Sequence, residues 1–275
     1  MKNSKKNSKI SYLIITLIAL FLAGFLAFNE QRTRLHLGQP AVVTGGALVA
    51  IMFFLASFNA RKKLSMLPLG NAKTWLKLHV VGGFLALLFF WIHTRTLWPL
   101  GNYEQILAFL FYLLTANGIV GYILQRIYPG HLTQTGLEII YERIPAEIVE
   151  IREHAESLIL ECTKETGAET LAQYYLETLD WFFRKPRFFA SHAVGRQKAR
   201  HWLRQQLAVV KHYLNDSERV YLAKLQVLAE MKNKVDVHYA IQTILKSWLL
   251  IHIPLTVAVV VFTVWHILLV HIYAL

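Results

Sequence analysis

The sequence predicts an all-α integral membrane protein, a bundle of about five transmembrane helices carrying a helical cytoplasmic insert. Three observations lead there. Apolar residues make up 55% of the chain and charged residues 17%, against about 25% charged in an ordinary soluble domain. The apolar residues gather in five long runs, at 10–28, 41–58, 75–98, 105–128 and 248–275, and runs of about 18 or more read as membrane-crossing helices. The one long stretch without such a run is polar but rich in Leu, Ala, Glu, Lys and Gln, which favour helix. The chain therefore divides into 1–125 (spans one to four), 126–243 (the insert) and 244–275 (the last span).

Charge orients these elements. Lys2, Lys5, Lys6 and Lys9 precede the first run, and Arg61, Lys62, Lys63, Lys73 and Lys77 cluster between the second and third. The opposite side carries only Arg32, Arg34 and Arg95. Basic residues are retained on the cytoplasmic side, so the N-terminus and the insert are expected in the cytoplasm and the C-terminus outside an inner (plasma) membrane. The same retention accounts for the net charge of +12, without nucleic acid as a partner. The first run has the charged start of a signal peptide, but it is long and no small-x-small cleavage site follows, so an uncleaved helix is expected. Cys162 is the single cysteine. That excludes an intrachain disulfide framework, a Cys-ligated iron–sulfur cluster and a Cys-x-x-Cys-His haem attachment.

The insert shows apolar positions at helical spacing in 139–160, 171–183, 199–213 and 220–231, which predicts a helical hairpin or small bundle. Its charge is segregated. Acids from Glu138 to Asp180 dominate the first half, whereas Arg184, Lys185, Arg187, Arg196, Lys198, Arg200, Arg204 and Lys211 follow without an acid among them. Within the basic stretch, 181–189 interleaves Trp and Phe with cations. Such a patch suits anionic headgroups, an acidic soluble partner, or simply a solvated face over an aromatic core.

Histidines carry the chemical signal, because ionisable residues inside membrane spans are costly and functional by default. His79 and His93 lie in the third run, His252, His266 and His271 in the fifth, and thirteen residues separate both His79 from His93 and His252 from His266. At this spacing a helix returns to within about 40° of the same face after a rise of about 21 Å. The two spans run in the same direction, so His79 should share a depth with His252, and His93 with His266. Two imidazoles facing each other can ligate one haem iron, and two levels give two b-type haems stacked through the bilayer. Packing histidines, a proton relay, or a zinc or copper site are the competing readings; transported metals usually recruit carboxylates or thiols as well. His238 precedes His252 at the same interval but lies before the apolar run. His271 sits about 140° from His266 around the helix and points elsewhere.

Further residues fit this scheme. Trp75 precedes His79, and Trp248 precedes His252, by four positions, while Trp91 and Trp265 stand just before the upper histidines. Tryptophan favours the membrane interface, so the two helices are in register. Gly82 and Gly83 would let a flat macrocycle approach the backbone. Lys77 and Lys246 at the inner level and Arg95 at the outer could reach propionates, or serve as interfacial anchors.

Two His-x13-His pairs on the third and fifth spans, with the N-terminus inside, resemble the ferric reductase-like transmembrane domain shared with NADPH oxidases, and more loosely the two-haem cytochrome b of quinol-oxidising complexes. The resemblance covers 75–275 without the insert. It implies that His79 and His252 hold the inner of two b haems and His93 and His266 the outer. A sixth span and a flavin or nicotinamide domain have no counterpart here, and no Gly-rich dinucleotide fingerprint occurs. The expectation is transmembrane electron transfer by a subunit that works in lipid with separate redox partner proteins or a quinone. The alternative is a non-redox membrane anchor, scaffold or sensor whose insert carries the interaction. A transporter is third, with few polar features in the spans beyond Asn117, Gly118 and Gly121.

Overall fold

The computed structural model describes residues 2–35, 40–58 and 71–273, with side chains described from residue 13 to 33, 40 to 58 and 71 to 273. The side chains of Lys2, Lys5, Lys6, Lys9 and Arg34, and all of Arg61, Lys62 and Lys63, on which the expected orientation rests, lie outside these. The described residues are all-helical, with no strand. In chain order the long elements are α1 (Lys2–Leu35), α2 (Pro40–Ala56), α3 (Ala72–Thr94), α4 (Asn102–Gln134) and α5 (Ile144–Thr166). The short α6 (Thr170–Tyr174), a π turn (Tyr175–Leu179), α7 (Asp180–Arg184) and α8 (Phe189–Ala193) follow. Then come α9 (Lys198–Lys211) and the 58-residue α10 (Asp216–Tyr273).

Four helices are long and apolar enough to cross a membrane: those containing 13–33, 72–94, 102–134 and 216–273. The second apolar run behaves differently from the others. It forms a helix of 17 residues, about 25 Å long and at the short limit for a hydrocarbon core of about 30 Å.

The chain separates into two compact units, Met1–Tyr122 with Leu250–Leu275, and Ile123–Leu249. In the first, α1, α2 and α3 pack against one another. Leu26, Leu48, Leu85, Ala86, Phe89, Phe90, Ala108, Phe111 and Val259 form its core, with the Phe90 and Phe111 rings stacked at 4.6 Å. Asn71 caps α3 by accepting from the Lys73 N–H, and Arg95, in the left-handed region at φ 57°, ends it by donating its N–H to the Trp91 carbonyl. The outer surface is apolar: Phe21 is 72% exposed and Leu250 74%. Water would disfavour such a surface; lipid would not.

The second unit has its own core, in which Ile148, Ile151, Ala155 and Ile159 of α5 meet Leu171, Leu179, Phe182 and Phe183, Leu203 and Leu207 of α9, and Leu225 and Ala229 of α10. Both α5 and α9 show the expected amphipathic pattern, burying positions three or four apart. The buried Glu218 joins two helix starts. Its carboxylate accepts from the Asn215 N–H at 3.2 Å, the Asn215 side chain accepts from the Glu218 N–H at 2.7 Å, and the other carboxylate oxygen accepts from the Leu171 N–H at 3.1 Å. This reciprocal capping satisfies donors that a buried helix end would leave unpaired.

Candidate functional site

The first unit brings the four histidines together as two pairs. The ring centres of His79 on α3 and His252 on α10 are 6.4 Å apart, with planes at 69°. Those of His93 and His266, on the same two helices, are 6.5 Å apart, with planes at 87°. The two helices therefore run in the same direction, and each contributes one imidazole to each level. All four rings are half-buried. Ala86, Phe89 and Val259 of the core lie between the levels in sequence along α3 and α10 and are buried.

The spacing within each pair has a chemical meaning. An imidazole nitrogen lies about 2.0–2.1 Å from a metal it ligates and about 1.15 Å from its own ring centre, so two imidazoles facing across one metal ion hold their centres roughly 6.4 Å apart. Directly hydrogen-bonded imidazoles would sit closer, whereas an edge-to-face ring contact spans about 4.5–7 Å and shares this range. Among the described residues no three His, Cys, Asp or Glu side chains converge on a common point. A tetrahedral zinc site needs three or four protein ligands, which neither level supplies. A macrocycle that brings four equatorial nitrogens of its own needs two axial ligands, and this donor set fits it.

The surroundings orient the rings. Thr44 of α2, itself buried, donates its hydroxyl proton to the Pro40 carbonyl at 3.0 Å and stands 3.1 Å from His93 Nδ1. In the tautomer protonated on Nδ1, His93 donates to this oxygen and carries its lone pair on Nε2. At the other level Asn117 Oδ1, on α4, lies 2.9 Å from His252 Nδ1. A carboxamide oxygen only accepts, so His252 is protonated on Nδ1. A ligating histidine characteristically donates its second nitrogen in this way, which fixes tautomer and ring orientation. His79 Nδ1 is buried and lacks a hydrogen-bond partner among the described residues, and Phe58 packs on its ring at 4.9 Å. Tyr103 stacks almost parallel on His266, at 6.1 Å and 7°, and donates its hydroxyl to the Phe262 carbonyl.

Glycines permit close approach, though not all where the sequence pointed. A Cβ on Gly45 of α2 would lie 3.0 Å from His93 Cε1, so the His93 ring occupies space that a side chain would need. A Cβ on Gly82 would meet Leu55 at 2.9 Å: its missing side chain is filled by α2 and serves helix packing. Gly83 has no neighbour within 4 Å.

The expected propionate cations also have other partners. Arg95 pairs with Glu30 of α1. Lys246 pairs with Glu142 and lies 4.1 Å over the Tyr141 ring, within the second unit. Both are engaged because a carboxylate sits within reach on a neighbouring element, which spacing along the chain cannot reveal. Lys77 is half-buried, two residues before His79. His271 is exposed, with Nδ1 at 3.1 Å from the Ile267 carbonyl. His238 belongs to the second unit, where its Nε2 lies 2.8 Å from the Thr135 hydroxyl. Thr44, Gly45, Tyr103 and Asn117 were not singled out around the histidines from sequence. Thr44 and Asn117 left one faint signal, a polar residue inside an apolar run.

No protein-family model, curated protein or solved structure matches the chain. The geometry alone therefore carries the functional reading.

Proposed function

We propose that this chain is a membrane-embedded cytochrome b that binds two b-type haems, one between His79 and His252 and the other between His93 and His266, and relays electrons across the bilayer. One observation carries the reading: two imidazole pairs, on the same two parallel helices, each at the separation that opposed ligation of one metal ion requires. When bound, haem supplies reversible one-electron chemistry. The chain's own part is positional. His79, His93, His252 and His266 would hold the two haems through their ring nitrogens. Thr44 and Asn117, by accepting from Nδ1, would leave the Nε2 lone pairs of His93 and His252 available for ligation. The apolar residues of the core keep water from the space between levels, which restrains the charge around each site from relaxing.

The exposed apolar surfaces of α1, α3, α4 and α10 support a setting in lipid. The resemblance of the His-x13-His pairs to the ferric reductase-like transmembrane domain implies that the His79–His252 level is the cytoplasmic one. Reductase or oxidase activity would need a donor and an acceptor on other proteins, or a quinone. The test is an absorption spectrum of the purified full-length chain, oxidised and then reduced with dithionite. The expected result is a Soret band that shifts on reduction with sharp low-spin α and β bands. A spectrum without haem bands, in protein produced with ample haem supply, overturns the reading.

A further inference from the structure

The second unit carries a surface that electron relay does not use. Residues 181–215 contain eight Lys and Arg and no Asp or Glu. Lys185, Arg196, Lys198, Arg200, Arg204 and Lys211 are exposed, and none has an ion-pair partner among the described residues. Exposed apolar side chains lie among them: Phe189 is 41% and Val194 68% accessible. The mixture of solvated cations and exposed apolar groups is that of an interfacial surface.

This surface lies beside the end of the apolar run of α4. The apolar run of that helix ends near Tyr128, and α4 continues unbroken to Gln134. The Tyr128 hydroxyl donates to the Ala193 carbonyl at 3.0 Å. Gly195, in the left-handed region at φ 71°, approaches His131 so closely that a Cβ would lie 2.8 Å from its ring. Thus α8 and the turn after it are fastened to α4 where its apolar run ends.

The preceding loop is tied to α10 by a buried ion pair. Lys232 and Asp236 form a 2.6 Å ion pair whose side chains are wholly buried. Lys232 Nζ also donates to the Lys185 carbonyl at 2.8 Å, and the Arg187 N–H donates to Asp236 at 3.3 Å. Phe188, a non-glycine residue at φ 53°, completes the turn. A buried ion pair is costly unless its remaining valences are satisfied; here the loop's backbone satisfies some of them, which ties Lys185 and Arg187 to α10.

We propose that the acid-free face formed by α8, residues 194–197 and the start of α9 docks on anionic phospholipid headgroups of the bilayer that α4 crosses. This rests on the membrane reading of α4 and not on haem. The experiment places the full-length chain in nanodiscs of phosphatidylcholine alone, or with about 30% phosphatidylglycerol, each basic residue near such a surface adding about one lipid attraction of order 1 kcal/mol. Amide hydrogen exchange over 189–204 is then followed. Exchange should be at least about fivefold slower in the anionic discs, the factor corresponding to that attraction. The difference should vanish at high salt, and in an Arg196→Gln, Lys198→Gln, Arg200→Gln, Arg204→Gln variant whose α5 exchange is unchanged. Equal exchange in both lipids overturns the proposal. Slowing by added polyglutamate but not by anionic lipid also overturns it, in favour of an acidic protein partner. A chain that elutes apart from the discs overturns the membrane reading and this surface with it.

Discussion

The finest control in the site is the proton on each Nδ1. On the proposed function Thr44 and Asn117, which lie 3.1 and 2.9 Å from His93 Nδ1 and His252 Nδ1, each accept from one imidazole, and a hydrogen bond of this kind would make the opposite nitrogen more basic and stabilise the oxidised metal. Each should therefore tune one level only. Thr44→Val is expected to raise the potential of the outer haem and leave the inner one unchanged; Asn117→Leu should do the reverse. A redox titration resolving two components checks this. Movement of both potentials in either variant, or of neither, would contradict the assignment of these side chains. A second residue-scale prediction concerns the other unit. Burial, aided by the charge of Lys232, holds His192 down at about 4, against ~6.5 in the unfolded chain. The folded state thus binds fewer protons between these values. The stability this group contributes is complete above about pH 6.5 and is lost as pH falls through about 4, amounting to about 3 kcal/mol at most. Amide exchange in α5 and α9 should show the native protein losing protection relative to His192→Gln as pH falls through that window. Parallel pH curves for the two proteins would exclude it.

At the scale of elements, periodicity was legible and partners were not. A spacing of fourteen positions repeated on two apolar runs was enough to place His79 opposite His252 and His93 opposite His266, because helix geometry alone carries a residue back to the same face. The amphipathic segments of the insert could be read for the same reason. Nothing along the chain shows that Arg95 finds Glu30, that Lys246 finds Glu142, or that Leu55 fills the space beside Gly82. Those depend on which helix lies next to which. The π turn at Tyr175–Leu179 also escaped, since its five residues continue a helical pattern with one altered register. The consequence of α2's position can be tested at Gly45. Valine there must displace His93, because its Cβ would begin 3.0 Å from the ring before its methyl groups are counted. Gly45→Val is expected to lose the outer haem and retain the inner, whereas Gly83→Val, at an open position, should retain both. Equal haem content in native and Gly45→Val protein would mean that α2 does not bound the site.

Over the whole molecule, a first unit with an apolar exterior and paired histidines is joined through α4 and α10 to a second unit with an independent core. The sequence of α10 serves both units: Leu225 and Ala229 belong to the second unit's core, and His252 and His266 to the first unit's histidine pairs. Pro254 lies within it, two residues past His252, without ending it. The central claim is that two metals are held at two levels by ligands shared between α3 and α10. Haem per chain, released by acid–acetone from native protein and from the four single His→Ala variants, measures it directly. Two haems per native chain are expected, with one left in each of His79→Ala, His93→Ala, His252→Ala and His266→Ala. The redox titration should show His79→Ala and His252→Ala losing one component, and His93→Ala and His266→Ala the other. Haem that stays on the polypeptide, a native ratio near zero, or His93→Ala and His266→Ala losing different components would contradict it.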